Sequence, residues 1–465
     1  MFFTTFSAFF ERALATETIG RLADQTRWRQ RRGKIDPAEF QRGLMLGQLS
    51  AARLTLAAHI QSLSAPVSRQ AVDQRFDERA VAFTQATFAH VLACALEFAP
   101  DQPQAVALRA NFSAVYLLDS TSFDCPASLQ TLFPSCGGHG SPANVKVLLR
   151  YDVLSGQLEP LHVLAGKRSD QGQAQGAAAR LQPNQLQIQD KGFADSKAWQ
   201  AATTQRAYLL TPWSQGTTLW ERPAPDQPEV PVDVAAVLAA TTANQVDWSA
   251  LQAGKPGHRA GPLRLAAFRR PPASAARQRR GLCEMMRTQG RVPSAKALQL
   301  AGWLLLLTNA PVTQLPTAML GYVYRLRWQV ELIFRQLKSV LRLDQTESAN
   351  PCRVQSELWA RLGAAVLLFA WHAQVSAACW QRQQGEASFE KVIGCVRQWG
   401  QTLARAAWGE PHLLRQTLRS LWAHLLCNAR KGRQKSRPTT WENLYNFWLN
   451  PRPATATTKA PTDPV

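Results

Sequence analysis

Acidic residues are scarce in this sequence: 32 Asp and Glu stand against 53 Lys and Arg among 465 residues, a formal net charge of +21. That imbalance points to a polyanionic partner. Phosphate contacts dominate nucleic-acid affinity, and the planar fork of Arg fits phosphate oxygens in pairs. A merely basic surface is the alternative, since charge alone specifies no fold. Long apolar runs are also lacking. The longest uninterrupted ones, 302–307 and 363–371, fall well short of the ~20 residues that cross a bilayer, so no membrane partner is expected. The first basic residue is Arg12, which leaves the start without the basic n-region of a secretory signal. The eight cysteines include no C-x-x-C pair, which argues against a disulfide framework or zinc ribbon and for small buried thiols in a reducing cytoplasm. With 46% hydrophobic residues the chain is no disordered polymer, and its length suggests roughly three domains.

Residues 1–105 read as helical, with apolar spacings of three and four. Within them Ser68 is placed to cap a short helix that turns Arg69, Gln70, Gln74 and Arg75 outward, as on a DNA-recognition helix or an ordinary amphipathic surface helix. From 110 to 195 the period changes. Residues 114–118 form an apolar strand ending at Asp119-Ser120-Thr121, and residues 145–153 and 157–164 form a hairpin about Ser155-Gly156. A helix is expected at 169–181, then a strand at 185–189 stopped by Asp190-Lys191-Gly192-Phe193. Strand, strand, strand, helix, strand is the order of an RNase H-like half-domain. Residues 196–300 are broken by Pro and Gly and read as a β-rich insertion. Its second half is heavily basic (Arg259, Arg264, Arg269, Arg270 and six more to Lys296, opposed only by Glu284) and reads as a phosphate track or a solvated charge run. Residues 301–348 hold a buried strand at 303–308 and one long helix over 315–340. Residues 349–440 are helical, and 441–465 read as a disordered Thr/Pro/Ala tail. The fold class expected is therefore α/β, an RNase H-like core interrupted by a β-rich insertion, with a helical DNA-binding N-terminal domain and a helical C-terminal domain.

The long helix is the most informative segment. At about 100° per residue, Tyr324, Arg327, Glu331 and Lys338 share a strip about 60° wide, while Val323, Leu326, Val330, Ile333, Phe334 and Leu337 form an apolar face beside it. Alone, the strip also fits a solvated flank with an i, i+4 ion pair. Phosphodiester chemistry, however, uses two divalent ions about 3.5–4 Å apart, and Mg²⁺ takes oxygen ligands. In so acid-poor a chain, Asp119 and Asp190 are the carboxylates best placed at strand ends, although either could be a turn or cap residue. Asp124 is the reserve for the first position. His139 and His162 read as turn and strand residues, not as general bases.

These residues resemble the DDE transposases of bacterial insertion sequences, specifically the "IS four" family. Its Y-x2-R-x3-E-x6-K hallmark is met by Tyr324, Arg327, Glu331 and Lys338, its first acidic segment by Asp119-Ser120-Thr121, and its second by Asp190-Lys191-Gly192-Phe193. The resemblance spans about 110–345. It implies a catalytic triad of Asp119, Asp190 and Glu331 holding two Mg²⁺ ions, with Mn²⁺ as a substitute. It also implies a row of Tyr324, Arg327 and Lys338 facing DNA phosphates. The implied chemistry cuts transposon ends through a hairpin intermediate and transfers the 3′ end into target DNA. Two subunits would act on paired double-stranded ends, in the cytoplasm at the nucleoid. Trp303 resembles the Trp on which related enzymes stack a flipped base; a core anchor is its other reading. A catalytically silent DNA-binding regulator of the same ends, and an RNase H-like nuclease without strand transfer, are the competing functions.

Overall fold

A computed structural model describes residues 2–31, 33–49, 54–137, 140–345, 348, 350–382, 385–408, 411–432 and 440–449. His139, the stretch 433–438 of the basic tail and residues 450–465 lie outside them. Strands among the described residues, numbered in chain order, are β1 (Ala114–Cys125), β2 (Ala143–Asp152), β3 (Gln157–Ala165), β4 (Gln185–Gln189), β5 (Tyr208–Pro212), β6 (Leu219–Glu221), β7 (Val230–Pro231), β8 (Gln245–Lys255), β9 (His258–Arg269) and β10 (Trp303–Thr308). The architecture is α/β, in two compact units, each assembled from separate stretches of chain.

One unit contains Met1–Gln104, Ser120–Arg168 and Glu331–Ser436. Its axis is the helix Pro351–Gln381, opened by Pro351 and capped by Asn350, whose side chain accepts from the amides of Cys352 and Arg353. That helix is apolar nearly all round, which requires partners on every side. Phe6 and Phe10 of the helix Phe2–Ala13 bring their rings to 5.8 and 5.5 Å from Trp371. Phe88 of the helix Glu78–Glu97 reaches Trp359, and Tyr151 of β2 reaches Phe369. By length and composition Glu78–Glu97 and Pro351–Gln381 could each cross a membrane, an outcome not anticipated from the short uninterrupted runs. The second has 94% of its most apolar stretch buried inside the protein, the place of a core helix. The N-terminal helices thus share one core with the C-terminal ones. β2 and β3 pair antiparallel about Gly156, whose φ of +75° suits the turn, and Asp152 closes that turn by accepting from Leu154 and Ser155.

The other unit contains Ala105–Asp119, Ser169–Val330 and Arg437–Val465. Its sheet runs in the order β1-β4-β5-β10-β9-β8-β6-β7. β1, β4 and β5 are parallel, whereas β10 is antiparallel to both β5 and β9. Parallel strands buried on both faces read as near-continuous apolar runs, as 114–118 does.

Four expectations change. β1 does not stop at Asp119 but runs to Cys125, because Thr121, Phe123 and Cys125 alternate as buried residues with exposed Ser122 and Asp124. The second half of the 196–300 segment is less β-rich than expected: Ala-, Arg- and Met-rich sequence after Pro271-Pro272 forms the helix Pro272–Thr288. Residues from 440 are not all tail, since Trp441 and Leu444 are buried in the helix Thr440–Trp448. The long helix is two, Thr317–Arg325 and Trp328–Ser339, joined through Leu326 and Arg327. Across the joint the amides of Leu326, Arg327, Gln329 and Val330 bond three residues back, not four. The expected apolar face holds: Val323, Leu326, Val330, Ile333 and Leu337 are buried.

Candidate active site

Two carboxylates come together through strand register. β1 and β4 are parallel, and their last matched pair is Leu118 with Gln189. Asp119 lies one residue past that match, inside β1, and Asp190 one residue past the end of β4, so the two stand side by side where the β1–β4 pairing stops and neighbouring strands are about 4.8 Å apart. Asp190 then starts the short 3₁₀ turn Lys191–Phe193, and the buried Gln189 amide locks that turn by donating to the Phe193 carbonyl.

Facing the two acids is the joint between the signature helices. Bonds three residues back tighten the chain into a 3₁₀ turn, in which positions i and i+3 eclipse. Tyr324 and Arg327 stand in that relation, and the Arg327 guanidinium lies 5.8 Å from the Tyr324 ring. Arg327 Nη1 is 3.7 Å from Asp119 Oδ2, with both side chains less than a fifth exposed. Burial holds the Tyr324 phenol well above its ordinary range; the negative charges of Asp190 and Asp119 push the same way, against the opposing charge of Arg327. Tyr324 is therefore a protonated donor at neutral pH.

The joint is anchored from the insertion. Buried Arg264 on β9 donates to Asp247 of β8 at 3.0 Å, to the Thr317 hydroxyl at 3.1 Å and to the Leu315 carbonyl at 2.6 Å, while Thr317 also bonds Asp247. These groups tie the start of the Thr317–Arg325 helix to the sheet. Only the isolated charge of Arg264 between Leu263 and Leu265 marks them in the sequence.

Glu331 and Lys338 follow on the Trp328–Ser339 helix, in the other unit, at its first and last turns, where their charges suit the helix dipole. Lys338 Nζ donates to the Ser122 carbonyl there at 3.1 Å. The reserve acid Asp124 accepts from Asn144 in the same unit. Arg69 and Gln70 are exposed on the short helix Arg69–Asp73, capped as expected by Ser68. Among the described residues no three Asp, Glu, His or Cys side chains converge closely enough to hold a metal ion. As donors, Asp119 and Asp190 are hard carboxylate oxygens, the type that Mg²⁺ takes, and in this arrangement Arg327 balances the charge of the first.

Trp303 starts β10, 6% exposed, with the Arg269 guanidinium 4.4 Å from its ring. It lines a cavity of about 420 Å³ together with Trp213, Lys191, Arg270, Leu282 and Met285. Trp213 was not singled out in the sequence; an aromatic after Pro212 carries no pattern. The basic run is also less free than its sequence suggested. Arg259 pairs with Glu229 and lies over Trp220, Arg264 pairs with Asp247, and Lys296 pairs with Asp233.

Residues 110–367 match the model of the transposase DDE domain family. The chain is 24% identical over 346 residues to the transposase for insertion sequence element IS231F of Bacillus thuringiensis subsp. israelensis, covering 71% of each chain. It is 23% identical over 389 residues to that for IS231B of Bacillus thuringiensis subsp. berliner, covering 81% of this chain and 80% of that one. A cryo-EM structure of the piggyBac transposase synaptic complex with hairpin DNA aligns over 92% of this chain and 86% of that one at a TM-score of 0.47 and 12% identity, too distant a likeness to weigh. With more than half its length matched, the chain belongs to the transposase DDE domain family, alongside the transposases of bacterial insertion sequences.

Proposed function

We propose that this DNA transposase cuts the ends of its own insertion sequence by metal-dependent phosphodiester hydrolysis, closes each end through a hairpin, and transfers the 3′ end into target DNA. The observation that carries the reading is the pair Asp119 and Asp190, each one residue past the last matched pair of two adjacent parallel strands, with Arg327 and protonated Tyr324 turned towards them. The parallel order β1-β4-β5, with an acid just past the β1–β4 pairing on each of the two strands, supports an RNase H-like core. Asp119, Asp190 and Glu331 would hold two Mg²⁺ ions, or Mn²⁺ in their place. Bound there, divalent ions supply an activated hydroxyl and neutralise the charge that builds on the leaving oxygen.

The chain's own residues do the rest. Arg327 and Lys338 offer guanidinium and ammonium groups to the phosphate, and Tyr324 donates its phenol proton in a hydrogen bond to a phosphate oxygen. Water adds to phosphorus and expels one 3′-hydroxyl. That hydroxyl attacks the opposite strand and expels a second alkoxide, which gives the hairpin. A second water reopens the hairpin, and the restored 3′-hydroxyl attacks target DNA. The cavity lined by Trp303 and Trp213 is the proposed place for an unstacked terminal base. Arg69 and Gln70, exposed on their short helix, are proposed as contacts to the duplex end. A homodimer on two paired ends, working in the cytoplasm at the nucleoid, completes the proposal.

The test is cleavage of a labelled duplex carrying the element's terminal sequence, in Mg²⁺, by wild type, Asp119→Ala and Glu331→Gln. A nick followed by a hairpin in wild type alone, with end binding kept in both variants, is the expected result. Cleavage retained by either variant removes that residue from the catalytic set. Binding with no cut by wild type identifies a DNA-binding regulator, and cleavage without joining to a target plasmid identifies a nuclease.

A further inference from the structure

The helix Pro272–Thr288 buries only Ser274 and Ala275. On one side Gln278, Gly281, Leu282 and Met285 line the cavity of Trp213 and Trp303. At about 100° per residue, Arg277, Arg280 and Arg287 lie within about 80° of one another, turned roughly 140° from that side. All three are exposed, and among the described residues none of them has an ion-pair partner. Glu284 is the only acid on the stripe. At 1.5 Å rise per residue the stripe is about 15 Å long, enough to face three successive phosphates of a DNA strand.

We infer that this stripe is a docking surface for the phosphate backbone of the transposon-end duplex, next to the cut. Charge selects the partner: three guanidinium groups against one carboxylate, in a chain with net charge +21, seek phosphate. Position selects the DNA. The same helix walls the cavity beside Lys191, the residue after Asp190, so the stripe on its outer side lies one helix diameter, roughly 10 Å, from that cavity, within reach of the duplex that follows a cut phosphate at Asp190. That placement rests on the catalytic reading above. The stripe touches backbone only, so it adds affinity without sequence preference.

The test is filter binding of the labelled end duplex to the full-length protein between 50 and 200 mM salt, for wild type and the triple variant Arg277→Gln, Arg280→Gln, Arg287→Gln. Three lost phosphate contacts lower the slope of log affinity against log salt by about 3, with the preference for the end over a scrambled duplex unchanged. The triple Arg→Lys variant restores most of the slope. An unchanged slope in a variant that melts with wild type overturns the inference, as does a loss confined to a target duplex. Cleavage by wild type with no slope change in the variant overturns the stripe alone. A slope change with no cleavage by wild type overturns the catalytic reading and leaves a phosphate-binding helix.

Discussion

Arg327 stands 3.7 Å from Asp119 because a turn tighter than an α-helix carries its guanidinium over Tyr324 and towards β1. The residue proposed above to face phosphate is also the one that balances the charge of Asp119. Two buried histidines respond to acid. His59 and His372 are buried, each with Nε2 bonded to a carbonyl (Phe40 and Ala387) and no partner for Nδ1 among the described residues. Burial lowers each from 6.5 to about 4, against the raising effect of the carbonyl. A depressed histidine binds its proton less readily folded than unfolded. Its contribution is therefore complete above pH 6.5 and is lost as pH falls from 6.5 towards 4. Each is worth on the order of 3 kcal/mol at neutral pH. Thermal melts between pH 7 and 4.5 should show His372→Gln losing less stability with acid than wild type; an equal loss excludes His372 as the sensor.

Among the elements, the start of the Thr317–Arg325 helix is held by a partnership that crosses the insertion. Arg264→Leu leaves Asp247 and the Leu315 carbonyl without the cation that both now face. Asp247 is partly solvated, so the cost is that of the hydrogen bonds Arg264 makes, about 1–3 kcal/mol. A melting temperature lowered by several degrees, with Arg264→Lys recovering only part because an ammonium cannot span three acceptors in a planar fork, is the expected outcome. Equal melting temperatures for Leu and wild type would show that the helix start is held elsewhere. Several elements here were legible from local pattern alone: β10 from its Trp-Leu-Leu-Leu-Leu-Thr run, β4 from five residues before Asp190, and the Ser68 cap from a hydroxyl three residues ahead of a donor. The break at Leu326–Arg327 was not. No Gly or Pro lies there, and burial of both Leu326 and Val330 is met as well by a tight turn as by a continuous helix.

For the whole molecule, the N-terminal helices are not detachable. Residues 1–104 share a unit with 331–436, and Phe6, Phe10 and Phe88 pack on Trp371 and Trp359 of the central helix. A chain begun at residue 105 exposes that apolar helix and should be recovered insoluble, or with the cooperative melt of that unit gone; a soluble truncation with an intact melt would restore the picture of an independent end-binding domain. By itself the sequence determined the α/β class, the apolar strand segments that lead into Asp119 and Asp190, the apolar face over 323–337 and the basic character, because all of these follow from short-range periodicity and composition. Tertiary structure alone decided which charges are already paired, that Trp213 shares a cavity with Trp303, and that N- and C-terminal helices close one core. Each of those depends on residues tens to hundreds of positions apart meeting in space, and neither spacing nor composition records such a meeting.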